Sequence, residues 1–552
     1  MNRPLVHVLL LVCSSFWSRA QAPDEWNRSA RESLLRAKNL ENLNKNAAKN
    51  VVFFLGDGMG VATITSARIL KGQLEGNPGE ETVLNMGELP HAALIKTYNT
   101  DQQVSDSAGT ATAFLCGVKT KAGVIGVHDG VEYGDCQSGL DSPVDSVIKY
   151  ARDAGKSTGI ISTARITHAT PACAYAHSAS RNWESNSDIP VNQRQCTDIA
   201  SQMIELGKDI KVIMGGGRRA FIPASELDPE YGYPGRRTDD RNLIDEWKAH
   251  HLDNTTSFYV WNQQQFDDVD PDNTEYLLGL FEYSHMQYSA DRLDDIGGEP
   301  SLSEMVEKAI KILQKNENGF MLLVEGGRID HAHHAGNAHR ALKDTLAMDE
   351  ALQVARLLTS SEDTLTIVTA DHSHTNTIVG YPGRGNPILG VNDNALGADR
   401  LPYTTIMYAN GPGGAQVQLS YDLMGNRPNL TDVDTEAVDY IQQATIPDSS
   451  ESHGGEDVPL YADGPMAHLF HGTHEQHYIA HVIIYAACLQ NSTESHCVAA
   501  ATEESPVTDE DSPAATTCDG ICSMAGGLRV NLGVLSYFSF TLCLFKATKL
   551  LY

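Results

Sequence analysis

The sequence predicts an α/β fold in which helices flank a central, largely parallel sheet that carries one inserted, crown-like subdomain. Short apolar runs recur along the chain, and segments with helical periodicity separate them. Such alternation is typical of a sheet with helices on both faces. Hydrophobic residues make up 41% of the chain and charged residues 20%, which are ordinary globular values.

Five short apolar runs fit strands that are buried on both faces. They lie at residues 51–55, 156–162, 210–214, 319–324 and 365–369. Helices are expected at residues 61–70, 301–314 and 340–358. Between residues 381 and 446 the alternation lapses and Gly, Pro and Asn become frequent, which indicates the inserted subdomain. The α/β domain is therefore expected over residues 51–380 and 447–500.

The N-terminus has the pattern of a secretory signal peptide over residues 1–22. Arg3 precedes an apolar run at residues 5–13, and small residues stand near the end at Ala20 and Ala22. The run is too short to span a membrane, which takes about 20 apolar residues. Four glycosylation sequons fit a secreted chain, at Asn27, Asn254, Asn429 and Asn491.

The C-terminus has the pattern of a lipid-attachment signal. Residues 501–519 are rich in Ser, Thr, Pro and Glu, as in a flexible stalk. Residues 520–552 supply small residues, a spacer and an apolar run, the order found in glycosylphosphatidylinositol (GPI) propeptides. We take Asp519 as the attachment residue, with Cys518 and Ser523 as alternatives. A tail-anchored membrane helix is the other interpretation, but Asn531 and Gly533 interrupt the apolar run.

Charge excludes one class of partner. The chain has 41 Lys and Arg against 71 Asp and Glu, a formal net charge of −30. Non-specific nucleic-acid binding needs clustered positive charge, so no nucleic-acid partner is expected.

Metal-ligating residue types follow three of the predicted strands, where open α/β sheets place ligands. Asp57 follows the first run, Glu325 and Asp330 follow the fourth, and Asp371 and His372 follow the fifth. A single Asp after a strand is more often a helix cap or turn residue. Three such strand ends together favour a common site.

The spacing of these residues suits metal ions. Asp330 and His334 are four residues apart, so on a helix both point to one side, and a carboxylate with an imidazole suits zinc. Asp371 and His372 offer the same ligand types for a second zinc, with Asp57 as a bridge. Glu325 and a hydroxyl better match magnesium. Two close metals stabilise the entering and leaving oxygens of a phosphoryl displacement.

Ser107 is the candidate nucleophile. It stands among small residues in Asp106-Ser107-Ala108-Gly109, before an expected helix. Read by itself, this serine is a helix N-cap. In the functional interpretation, a helix N-terminus offers N–H groups to a phosphate, and a nearby zinc activates the hydroxyl.

These motifs together resemble the animal alkaline phosphatases of the GPI-anchored type. The matching segments are the Asp57 turn, Asp106-Ser107-Ala108, residues 324–331 (VEGGRIDH) and residues 369–374 (TADHSH). The resemblance covers about residues 26–497 and the anchoring tail. It implies an alkaline-phosphatase-like fold and hydrolysis of phosphate monoesters through a phosphoserine at Ser107.

The resemblance also implies the ligands of four metal ions and their neighbours. For two zinc ions it implies Asp57, Ser107, Asp330, His334, Asp371, His372 and His453; for one magnesium ion, Asp57, Thr170 and Glu325; for one calcium ion, Glu230, the Phe281 carbonyl, Glu282 and Glu299. Glu299 stands where an Asp is usual. Arg181 would grip the phosphate oxygens, and His168 and His331 would lie beside the magnesium.

The remaining implications concern cysteines and assembly. The resemblance pairs Cys136 with Cys196 and Cys488 with Cys497, and it leaves Cys116 free. Cys173 is unusual and is expected to be a free thiol. An N-terminal arm at residues 23–50 would embrace a partner subunit in a homodimer. The mature protein would lie on the extracellular face of the plasma membrane.

Two other functions fit parts of the pattern. A related phosphodiesterase or sulfatase would use a similar metal site, but diesterases usually lack the full magnesium triad and sulfatases carry a modified cysteine in place of the serine. An inactive metal-binding surface protein would need lost ligands, whereas every expected ligand is present.

Overall fold

The computed structural model describes residues 23–40, 42–252, 256–490 and 493–498. The predicted signal peptide, stalk and propeptide, with Asp519, Asn254 and Asn491, lie outside these residues. The strands of the described part are β1 (Asn50–Gly56), β2 (His91–Lys96), β3 (Ser157–Arg165), β4 (Val212–Gly216), β5 (Ser257–Val260), β6 (Tyr276–Leu280), β7 (Phe320–Gly326), β8 (Thr364–Ala370), β9 (Ser373–His374), β10 (Asn376–Ile378), β11 (Ile406–Gly411), β12 (Ala444–Pro447), β13 (His453–Gly454), β14 (Val458–Asp463) and β15 (Gly472–Glu475).

Helices connect most of these strands. They are α1 (Pro23–Asn39), α2 (Val61–Leu74), α3 (Ser107–Cys116), α4 (Cys136–Leu140), α5 (Val147–Asp153), α6 (Ala169–Cys173), α7 (Ile199–Glu205), α8 (Leu243–His250), α9 (Gln263–Asp267), α10 (Leu302–Leu313), α11 (Arg328–His334), α12 (Ala338–Leu358), α13 (Pro412–Met424) and α14 (Tyr478–Ala486). The three helices expected from periodicity correspond to α2, α10 and α12, with ends that differ by zero to four residues.

A ten-stranded sheet forms the centre, in the order β15-β2-β14-β8-β1-β7-β3-β4-β6-β5. Strand β14 is antiparallel to both of its neighbours, and the pairings give the other nine strands a common direction. The α/β fold with a largely parallel sheet is therefore confirmed. The antiparallel strand was not predicted.

The middle strands place three carboxyl ends side by side. Strands β1, β7 and β8 are almost entirely buried, because helices cover both faces of a parallel sheet. Gly56 of β1 pairs with Gly326 of β7 and with Ala370 of β8, so these strands end at the same level. Residues that follow them, including Asp57 and Asp371, must therefore lie close together.

A smaller sheet is built mostly from the region predicted as an insertion. Strand β11 pairs antiparallel with β10 and parallel with β12, and helix α13 follows β11 directly. This sheet begins before residue 381 and ends at Pro447, so it is anchored in the flanking chain. The predicted subdomain boundaries stay a prediction.

Helix α1 presents apolar side chains to solvent. Trp26 is 55% exposed, and Leu34 and Leu35 are each 61% exposed. Large apolar side chains that stay exposed to water contribute little to the stability of their own subunit. Among the described residues, no helix is both long enough and apolar enough to cross a bilayer.

A buried ion pair ties α7 to the loop that precedes α8. Arg237 is fully buried and donates through Nη1 to Asp198 Oδ1 at 2.9 Å and through Nη2 to Asp198 Oδ2 at 3.1 Å. Asp198 also caps α7 by accepting from the Ser201 N–H at 2.9 Å. The same carboxylate thus satisfies a helix end and a buried guanidinium.

We expect Asp198→Ala to lower the free energy of unfolding by about 3 kcal/mol, since it removes a helix cap and leaves the buried Arg237 with Asp239 as its one remaining ion-pair partner among the described residues. Urea denaturation followed by circular dichroism measures the effect. Lys248→Ala, which breaks the exposed Lys248–Asp245 pair, is the control and should cost less than about 1 kcal/mol. Equal effects of the two substitutions would contradict this role of Asp198.

Candidate active site

Asp57 occupies the turn after β1 and is fully buried. In the described structure neither of its carboxylate oxygens has a hydrogen-bond partner. Burial and the nearby Asp371, Asp330 and Glu325 raise the pKa of Asp57 well above its usual value. A buried carboxylate without donors is costly unless a cation neutralises it, so both oxygens fit metal ligation.

Asp371 and His372 follow β8 and face Asp57. Asp371 Oδ1 accepts from the Gly58 and His372 N–H groups, each at 2.9 Å, while Oδ2 makes no hydrogen bond. His372 Nε2 lies 3.1 Å from Asp371 Oδ2 and 3.6 Å from Asp57 Oδ1. Ligand atoms of these three residues all lie within 4.8 Å of one another. The group has the composition of one zinc site.

Ser107 lies next to this group as the first residue of α3. Its Oγ is 3.3 Å from His372 Nε2. The cap of the helix is Asp106, which accepts from the Gly109 N–H at 3.0 Å. Because Asp106 performs the capping, the hydroxyl of Ser107 is left to face the site.

Asp330 gathers three imidazoles. Its Oδ1 lies 2.8 Å from His374 Nε2, 3.3 Å from His453 Nε2 and 3.4 Å from His334 Nε2. His334 Nε2 and His453 Nε2 are 3.1 Å apart. Asp330 and His334 come from one face of α11, as their spacing predicts, and His453 from β13.

His374 is the last residue of the 369–374 segment, but the sequence pattern predicted no role for it. Its other ring nitrogen, Nδ1, contacts the Glu451 carboxylate. Burial opposes a charge on this ring, but the hydrogen bonds to Asp330 and Glu451 raise the pKa of His374 to about 10. His374 thus orients Asp330.

A second set of oxygen atoms surrounds Glu325 in β7. Glu325 Oε1 and Thr170 Oγ1 are buried without hydrogen-bond partners in the described structure. Glu325 Oε2 accepts from Ser162 Oγ, and Ser162 in turn accepts from the Ala164 N–H at 2.8 Å. Burial raises the pKa of Glu325 to about 7. Ser162 is a further residue that the sequence analysis missed.

Arg181 reaches the site from a loop and is held in place by two partners. Its Nη1 donates to Asp106 Oδ2 at 3.0 Å, and its Nη2 lies 3.1 Å from His168 Nε2. The ring of His168 lies 5.3 Å from that of His331. Burial lowers the pKa of His331 to about 3 and that of His168 well below its usual value, which favours the neutral form of both rings.

His285 completes this histidine group and was not predicted. Its ring lies 4.0 Å from that of His331 and 5.3 Å from that of His168, between ring centres. Arg165 contacts it as well, donating its backbone N–H to His285 Nδ1 at 3.2 Å. No residue spacing in the sequence signals this contact, because His285 comes from the loop after β6.

Two of the predicted calcium ligands, Glu230 and Glu282, meet in a separate acidic group with Asp295. Carboxylate oxygens of Glu230, Glu282 and Asp295 come within 4.8 Å of one another. Burial and Glu230 raise the pKa of Glu282 to about 7. Glu299 accepts from the Gln287 N–H at 2.9 Å through Oε1, and its buried Oε2 has no partner among the described residues. Asp295 was not predicted, and Phe281 and Glu282 directly follow β6.

The structure also describes six cysteines and two of the glycosylation sequons. The structure contains the disulfides Cys136–Cys196 and Cys488–Cys497, whereas Cys116 and Cys173 are free. Asn27 on α1 and Asn429 after α13 are exposed.

The chain is similar in sequence and in fold to known proteins. The profile of the family described as Alkaline phosphatase matches residues 48–489. The tissue-nonspecific alkaline phosphatase isozyme of Felis catus is 50% identical over 490 residues, which are 88% of this chain and 92% of that protein. The isozyme of Homo sapiens is 50% identical over 484 residues, 87% of this chain and 91% of that protein.

Among solved structures, the alkaline phosphatase of Thermus thermophilus is similar, with a TM-score of 0.58 and 25% identity. The match covers 82% of this chain and 94% of that one. Family profile, relatives and fold therefore agree with one another. The chain belongs to the alkaline phosphatase family and is a phosphoric monoester hydrolase that acts on phosphate monoesters.

Proposed function

We propose that Ser107 is the nucleophile of this hydrolase and that phosphate passes from the substrate to its hydroxyl, then to water. The observation that carries the proposal is the position of Ser107 Oγ, 3.3 Å from His372 and at the N-terminus of α3. Backbone N–H groups there favour an anion. The hydroxyl therefore meets phosphorus where negative charge is stabilised.

The residues fit two zinc ions and one magnesium ion. Buried oxygens without hydrogen-bond partners in the described structure support this assignment, on Asp57, Thr170, Glu325 and Asp371. Asp330, His334 and His453 would hold one zinc; Asp57, Asp371, His372 and Ser107 the other; Asp57, Thr170 and Glu325 the magnesium. Bound cations at these places lower the pKa of nearby hydroxyl groups and neutralise charge that develops on oxygen.

Arg181 binds and orients the substrate. Its planar fork suits two phosphate oxygens, and the contacts to Asp106 and His168 fix its position. A fixed guanidinium holds phosphorus in line with Ser107, which is the geometry that displacement requires. The acidic surface of the chain repels phosphate at long range, so these local groups must capture the substrate.

Ser107→Ala should lower turnover of a phosphate monoester by a factor of about 10³ or more, because no nucleophile remains. Zinc content should stay unchanged, since the other ligands are kept. Steady-state kinetics and atomic emission measure the two quantities. The matched control is Ser66→Ala, which removes a buried hydroxyl on α2 that lacks a hydrogen-bond partner in the described part. Full activity of the Ser107 variant would refute the assignment.

Thr170→Val tests the magnesium site, since it removes Oγ1 and keeps the shape of the side chain. We expect the dissociation constant for Mg²⁺ to rise about tenfold, with zinc content unchanged. Calorimetric titration of the zinc-loaded protein measures it. Thr158→Val, another buried hydroxyl without a partner in the described structure, is the control. Unchanged Mg²⁺ affinity in the Thr170 variant would contradict the site.

A calcium ion would bind away from the reaction, at Glu230, the Phe281 carbonyl, Glu282 and Glu299. In support of this, the carboxylates of Glu230 and Glu282 converge with that of Asp295. Burial also raises the pKa of Glu299 well above its usual value. Calcium accepts six to eight oxygens in flexible geometry, which leaves room for Asp295 beside Glu299.

The protein would act as a homodimer. Helix α1 exposes apolar side chains that a partner subunit would cover. Replacing both Leu34 and Leu35 with Asp should raise the dimer dissociation constant about 100-fold, because two apolar contacts are lost. Analytical ultracentrifugation measures it, with Leu293→Asp at an exposed position elsewhere as control. An unchanged constant would refute the role of α1.

The mature chain would be glycosylated and attached by a GPI anchor to the extracellular face of the plasma membrane. The order of the C-terminal residues supports this. Phosphatidylinositol-specific phospholipase C should release the phosphatase activity from intact cells. A chain truncated after residue 519 should be secreted into the medium without lipase treatment. Activity that resists the lipase would point to a membrane helix instead.

A further inference from the structure

Two free thiols meet at the ends of two helices. Cys116 is the last residue of α3, and Cys173 is the last residue of α6. Their Sγ atoms are 3.7 Å apart, and neither belongs to the two disulfides of the described structure. A disulfide needs a sulfur–sulfur distance of about 2.05 Å. The two sulfur atoms are thus roughly 1.6 Å farther apart than in a disulfide bond.

Each helix carries a residue of the proposed active site near its other end. Helix α3 begins at Ser107, and Thr170 is the second residue of α6. The two helices are in direct contact, since Thr112 Oγ1 lies 3.7 Å from Cys173 Sγ. A link between the thiol ends therefore acts on both helices at once.

Cys173 is itself buried, but it borders a cavity beside the partly exposed Cys116. Cys173 lines a cavity of about 320 Å³ together with Ser146, Lys149 and Leu206. Leu206 is 45% exposed, so the cavity opens to solvent, and Cys116 is itself partly exposed. The contact with Cys173 and burial raise the pKa of Cys116, so this thiol attacks a disulfide slowly near neutral pH.

We propose that Cys116 and Cys173 form a redox switch in which a small-molecule disulfide converts the two thiols into an intramolecular disulfide. One protein thiol loses its proton and attacks a sulfur of the small disulfide, which releases one small thiol. The second protein thiol loses its proton and attacks the mixed disulfide, which releases the other. The two protein sulfurs are oxidised, and the small disulfide gains their two electrons and two protons.

Closing the bond pulls the ends of α3 and α6 together. Side-chain rotation supplies part of the closure, and the helices supply the rest. A displacement of about 1 Å at a reacting group costs up to about 100-fold in rate. We therefore expect the cross-linked enzyme to turn over at least about threefold more slowly than the dithiol form.

The test uses the full-length holoenzyme incubated with oxidised glutathione. Peptide mapping by mass spectrometry should show Cys116 joined to Cys173 with the loss of two hydrogens. Turnover should fall in proportion to the cross-link and recover with mild dithiothreitol. Cys116→Ala and Cys173→Ala are matched controls, because each should take up glutathione without cross-linking or losing activity on oxidation.

The outcomes separate this proposal from the proposed mechanism. The cross-link is read from mass alone, and only the activity change rests on the roles of Ser107 and Thr170. Mixed disulfides without a Cys116–Cys173 bond, or no reaction at all, would refute the proposed disulfide between these two residues. A complete cross-link with unchanged turnover would overturn the switch. Loss of activity in both single variants before oxidation would likewise overturn it, since neither thiol is part of the catalytic group.

Discussion

The repulsion among buried carboxylates is the constraint on which the rest of the structure depends. Asp57, Glu325, Asp330 and Asp371 are all buried at one edge of the sheet, and each of the other three raises the pKa of Asp57. Such a cluster destabilises the fold unless cations or donors compensate it. The Gly58 N–H, Ser162 and His374 supply part of that compensation, and the unbonded oxygens leave the remainder to metal ions.

The rigidity of the parallel sheet makes this cluster possible. The register of β1 with β7 and β8 brings the three strand ends level, so residues about 270 to 310 positions apart in sequence meet without long loops. Helices α3 and α11 then begin at the site, and one residue separates α11 from the end of β7. Groups held by strand ends and helix starts are better positioned than groups on free loops.

The sequence was sufficient for the fold class, the main strands and the residues that follow them, because each lies within a local pattern. It was insufficient where a contact depends on loop geometry. His285 and Asp295 come from the irregular segment after β6, and no spacing relates them to His331 or Glu230. Strand β14 was missed for a related reason, since its direction follows from the course of the chain after the smaller sheet.

The turn after β1 requires glycine at one position. Gly58 has a φ of +68°, and a side chain there would overlap the ring of His374. Any other amino acid would have to push that imidazole away from Asp330. A missense change at this codon would therefore damage the centre around Asp330 directly.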